Sequence, residues 1–112
     1  MNKMSIEDLD RIDKAREELE EKFTNFSDEE FCEFDRVENK LHRRPDICAF
    51  LLLSNLAPSD NRDIVTAAEH DIIYLDVNLE ELAINATEDN IKDLLRCGVR
   101  YDSESGCLSM FV

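Results

Sequence analysis

The chain has 112 residues and a mass of 13.0 kDa, with 27 acidic side chains against 13 basic ones, a formal charge of −14 with both histidines neutral. Area scaling gives roughly 6,300 Å² of surface folded against roughly 19,000 Å² unfolded, so one domain spanning residues 1–112 is expected. A hydrophobic content of 43% with six phenylalanines argues against disorder, and no apolar run approaches the length of about 18 residues that a spanning helix needs. The first eight residues lack the basic-then-apolar layout of a secretory signal, so a soluble cytoplasmic protein is expected. Such a negative field repels phosphate backbones and lipid headgroups, which disfavours direct nucleic-acid or membrane partners and favours proteins with a basic surface.

Ser5 and Asp8 resemble a capping box, and Ile6, Leu9, Ile12, Leu19, Phe23 and Phe26 recur at helical steps, which predicts an amphipathic first helix. Its outer face pairs Asp10 with Lys14 and Glu18 with Lys22 at i,i+4. Ser27 followed by Glu30 reads as a second helix start, with Phe31, Phe34, Val37 and Leu41 as its stripe and Pro45 as its stop. With so short a connection, residues 1–44 are expected to form an antiparallel helical hairpin. Asp46 to Ala57 are apolar nearly all round and predict a buried third helix, ended by the turn cluster Pro58-Ser59-Asp60-Asn61. Asp63 to Glu69 read as one or two further helical turns.

From Ile72 the period changes, and Ile72 to Val77 predict a strand with Ile73, Leu75 and Val77 on one face. Asn78 with Glu81 caps a short helix to about Ala86. Thr87 with Glu88 and Asp89 caps another that carries Ile91, Leu94 and Leu95 inward and closes at Gly98. Val99-Arg100-Tyr101 and Cys107 to Phe111 flank a turn with Gly106 in the positive-φ position, a hairpin signature. Residues 45–112 therefore form an α+β part, with a three-stranded sheet and two short helices, and the whole chain belongs to the α+β class.

Cys32, Cys48, Cys97 and Cys107 are separated by 16, 49 and 10 positions, with no C-x-x-C pair, which argues against structural zinc; free thiols are expected, with Cys48 in an apolar run and Cys107 in a strand-like segment as small buried hydrophobes. The two glycines, Gly98 and Gly106, are too few and too far apart for a phosphate-cradling loop. No cofactor is expected.

Three constellations bear on function. Glu69-His70-Asp71 with Asp76 is a tight titratable group that suits a small metal-dependent enzyme, against the plainer reading of a solvated turn. Glu88 to Cys97 with Arg100 to Met110 has the order of a winged helix, but Glu88, Asp89 and Asp93 would meet phosphate with net repulsion. The acid distribution is uneven: residues 63–93 hold nine acids and one base, Lys92. Part of that excess fills helix first turns, and the rest suggests a docking surface for a basic partner.

The segments Arg44 to Leu53, Asp63 to Asp71, Leu95 to Tyr101 and Cys107 to Phe111 resemble short uncharacterised acidic proteins of bacterial phages and mobile elements. The resemblance covers residues 44–112 and implies binding to a host protein, as small phage inhibitors that imitate DNA do; the mixed-sign first helix departs from a pure DNA mimic. The expected function is non-enzymatic binding of a basic, nucleic-acid-handling protein through Asp76, Glu80, Glu81, Glu88, Asp89 and Asp93, with the metal-dependent enzyme and the winged-helix regulator as alternatives.

Overall fold

The computed structural model describes residues 6–58 and 63–111. It contains α1 (Ile6–Glu30), a short 3-10 turn η1 (Phe34–Arg36), α2 (Pro45–Leu56), strands β1 (Val65–Glu69) and β2 (Ile72–Leu75), helices α3 (Leu79–Asn85) and α4 (Glu88–Arg96), and strands β3 (Val99–Asp102) and β4 (Cys107–Phe111). The class is α+β, as expected. The proposed cap at Ser5 and the turn residues Ser59, Asp60 and Asn61 lie outside the described residues.

The sheet is antiparallel throughout, in the order β1-β2-β4-β3. Strand alternation puts Ile73, Leu75, Leu108, Met110, Val99 and Tyr101 on the inner face, where Leu75 opposes Leu108 and Leu108 opposes Tyr101. Leu19 and Phe23 of α1, Leu53 of α2, Leu82 of α3, and Ile91, Leu94 and Leu95 of α4 complete one core against that face. Among the described residues no helix is long and apolar enough to cross a membrane.

The N-terminal hairpin is replaced by a single long helix. α1 runs through Ser27 to Glu30, with the Phe31 N–H donating to the Ser27 carbonyl at 3.0 Å, so Ser27 continues a helix and does not start one. The chain then reverses at Cys32, whose φ is 63°. Its N–H donates to the Leu95 carbonyl at 2.9 Å, satisfying one of the last carbonyls of α4. That tertiary bond, with Val37 buried and Phe31 and Phe34 packed on the core, holds residues 31–44 in an irregular path where the local apolar spacing alone suggests a helix.

Two further corrections concern α2 and β1. α2 buries only Cys48, Ala49 and Leu53, and Leu51 is 43% exposed, so the third helix is covered on one side rather than buried. Residues Val65–Glu69 form an edge strand, not helical turns, and raise the strand count from three to four. Ala67 and Ala68 favour helix locally, but pairing with β2 from Val65↔Leu75 to Glu69↔Ile72 decides the outcome.

The remaining elements follow local chemistry. The Asn78 side chain accepts from the Glu81 N–H, and Thr87 and Asn90 form a reciprocal capping box on α4. Gly98 has φ 97° just after α4, and Gly106 has φ 66° before β4, conformations that side chains with a Cβ adopt at a cost.

Candidate functional site

Among the described residues, a groove of about 310 Å³ lies between α2 and the chain segments that enter β1 and leave β2. α2 supplies Ile47, Phe50, Leu51, Leu53 and Ser54; the opposite wall is Asp63, Ile64, Asp76 and Val77. The two walls of the second side are tied together, since the Asp76 N–H donates to the Ile64 carbonyl and extends the β1–β2 ladder by one rung. A helix apolar nearly all round in a domain this small has more greasy surface than the core can cover, so one face stays open. The groove is that face, with two acidic residues, Asp63 and Asp76, in its far wall.

A pocket of this composition can take an aliphatic or aromatic side chain against Phe50 and Leu51, with the acidic residue Asp63 at its edge. Asp63 lies on the surface and Asp76 is half-buried.

The six acids read from the sequence as a docking surface have different surroundings. Glu80 lies 3.9 Å from Arg11 of α1, an exposed pair. Glu81 is partly buried, and its Oε2 has no hydrogen-bond partner. Glu88 and Asp89 are exposed in the first turn of α4, where the helix dipole favours them. Asp93 is engaged internally, its Oδ1 accepting from Arg96 Nη1 at 2.9 Å. Of the six, only Asp76 borders the groove.

Arg96 belongs to a buried ionic junction that sequence reasoning missed. Its Nε donates to Glu30 Oε2 at 2.6 Å and its Nη1 to the Arg36 carbonyl at 3.4 Å, while Arg36 Nη1 lies 3.5 Å from Glu30 Oε1 and caps the Glu29 carbonyl at 3.0 Å. α1 has no basic residue in its last turn. The two arginines, one from α4 and one from η1, thus supply the positive charge that the helix C-terminus favours. The bond from Arg96 holds the Glu30 carboxyl below the usual carboxylate range despite burial that opposes this, and the same bond, joined by Asp93, raises Arg96. Glu30 and Arg96 are 66 positions apart, beyond any local signal.

The alternative enzyme cluster does not assemble. Glu69 ends β1 and His70 and Asp71 form the tight turn into β2, all three exposed, with His70 at φ 56°. Asp76 lies at the opposite end of β2, roughly 16 Å along an extended chain from Asp71. Among the described residues no group of three His, Cys, Asp or Glu side chains gathers to hold a metal ion.

The charges that count against a winged helix in the sequence are arranged on α4 as follows. The apolar side of α4 is buried in the core, Arg96 is committed to Glu30 and Asp93, and the Lys92 ammonium sits 4.9 Å from the Phe26 ring centroid. The exposed first turn of α4 is acidic.

All four cysteines are free thiols. Cys97 closes α4, and burial, reinforced by the neighbouring Cys48 thiol, pushes it far up. Burial also raises the Cys32 thiol, with Glu33 adding to the effect. Cys48 and Cys97 are buried packing groups, whereas Cys32 is exposed and Cys107, expected to be a small buried hydrophobe, is only partly buried because it starts the last strand beside the turn.

No family model, curated protein or solved structure matches the chain, so its function is argued from the geometry above.

Proposed function

We propose that this protein is a non-enzymatic binding module for a basic protein, with the α2 groove as its recognition site. The observation that carries this reading is the groove itself: an apolar bed of Ile47, Phe50 and Leu51 whose opposite wall includes two acidic residues, Asp63 and Asp76, on a chain of charge −14. Apolar anchoring with a carboxylate rim selects side chains that are greasy along their length and cationic at their tip. The general negative field steers such partners inward, and Glu88 and Asp89 contribute to that field without touching the anchor.

A partner from the nucleic-acid-handling class fits, because such proteins carry the strongly basic surfaces that this field attracts. If the resemblance read in residues 44–112 to short acidic proteins of phages and mobile elements holds, that target is a host protein. This part of the proposal rests on resemblance and charge, and the groove does not depend on it.

The test compares affinity capture from a host lysate by the parent protein, by a Leu51→Ser/Asp63→Asn variant and by a Glu88→Gln/Asp89→Asn variant. Loss of a basic partner with the groove variant, and only a shift in its salt dependence with the α4 variant, is the expected outcome. Equal capture by the parent and the groove variant would remove the groove from the account.

A further inference from the structure

β1 lies at the edge of the sheet, and among the described residues no strand pairs with its outer side. The ladder fixes which of its backbone groups face outward. The Asp76 N–H bonds to the Ile64 carbonyl, and antiparallel rungs alternate, so Leu75 and Ile73 oppose Val65 and Ala68 in non-hydrogen-bonded pairs. The N–H and C=O groups of Val65 and Ala68 therefore point to the open edge. Thr66, Ala67 and Ala68 are exposed and small, so their side chains leave that backbone accessible. No lysine or proline guards the strand, although the register shift between Val65 and Ala67 bends it.

We infer that a basic extended segment of the partner adds as a fifth strand along β1 and drops an apolar side chain into the adjoining α2 groove. The two features are continuous, because Asp63 and Ile64 are at once the groove wall and the residues that lead into β1. The added strand bonds through Val65 and Ala68, and its inward side chains lie on the face that carries Leu75 and Ile73, toward α2.

Charge chooses the occupant. Asp63 stands before one end of β1, and Glu69 and Asp71 stand at the other, all exposed. A second copy pairing antiparallel through β1 would set Asp63 of each chain against the Glu69 and Asp71 end of the other, on two bodies of charge −14. A segment alternating Lys or Arg with aliphatic residues meets the same edge with attraction at both ends.

This inference rests on the groove reading, and a defined probe separates the two. The probe is a synthetic nine-residue peptide alternating lysine and valine, measured by calorimetry beside the same peptide N-methylated at every second residue. Both carry equal charge, so a difference reports backbone pairing. Tighter binding of the unmethylated peptide by about tenfold or more is expected, with slowed amide exchange at Val65 and Ala68 on addition.

Ala68→Pro removes an outward N–H while leaving the β2 rungs in place, and it should weaken the parent peptide to the level of the methylated one. Leu51→Ser should weaken both peptides. Equal binding of the two peptides, together with unchanged amide exchange at Val65 and Ala68, overturns strand addition whether or not Ala68→Pro folds. If Leu51→Ser nevertheless lowers affinity, the groove reading survives that result; if it does not, both fall. A concentration-dependent dimer by sedimentation that Ala68→Pro dissolves would also overturn the inference, in favour of self-pairing.

Discussion

Arg96 at the end of α4 donates to the Glu30 carboxylate at the end of α1, Nε to Oε2 at 2.6 Å, so the negative ends of two helices meet on one guanidinium. Both side chains are largely out of water, 18% and 10% exposed, which makes the pair costly to break from one side only. Arg96→Met should lower the melting temperature by at least several degrees, measured by calorimetry, because Glu30 would keep only the more distant Arg36. An unchanged melting temperature would show that the junction is dispensable.

The same pair sets a pH dependence. Glu30 is held below its unfolded value near 4.3, so its contribution is present above that pH and is lost as pH falls through the lower folded value. The stability gap between the parent and Glu30→Gln should shrink between about pH 5 and pH 3. Subtracting the variant also removes the opposite effect, the relief of acidic self-repulsion on protonation, which both proteins share. Urea melts across that range supply the measurement, and a gap that widens toward low pH contradicts the assignment.

Helix capping offers a test with smaller expected effects. Thr87 and Asn90 satisfy each other's backbone donors at the start of α4. Thr87→Ala should cost about 1 kcal/mol by denaturant unfolding, against about 2–5 kcal/mol for Leu94→Ala in the core that the same helix fills.

Thiol accessibility probes the packing of α2 on α4. Cys48 and Cys97 are buried, whereas Cys32 is exposed and Cys107 partly so. Titration with an aromatic disulfide reagent should find Cys32 and Cys107 reacting in the native state and all four only in denaturant. Four fast thiols in the native protein would mean that α2 does not stay docked.

The sequence was most legible where structure is set within a few residues: the Asn78 and Thr87 caps, the Gly98 stop and the hairpin closed by Gly106 all form as their local chemistry dictates. It misled where distant contacts decide. Ser27-x-x-Glu30 has the form of a capping box, yet Glu30 is buried because Arg96, far along the chain, gives its charge a partner. Val65 to Glu69 have helix-compatible composition, yet β2 draws them into the sheet. The acid excess looks alike at every position in the sequence, which does not show that Asp76 borders an apolar groove or that Asp93 bonds to an arginine of its own helix. Asp63 and Leu51 are not legible in the sequence because a groove exists only after the chain folds, and the all-round apolar character of α2 reads as burial, which the exposure of Leu51 corrects.

Photo-cross-linking from position 51 probes recognition through the α2 groove, with position 84 as a reference, since Ile84 is 75% exposed but does not line the groove. With benzoyl-phenylalanine at position 51, a covalent adduct to a basic protein that fades at high salt is expected, and little or no such adduct from position 84. Equal adducts from both positions, or an adduct from position 84 alone, would contradict recognition through the α2 groove.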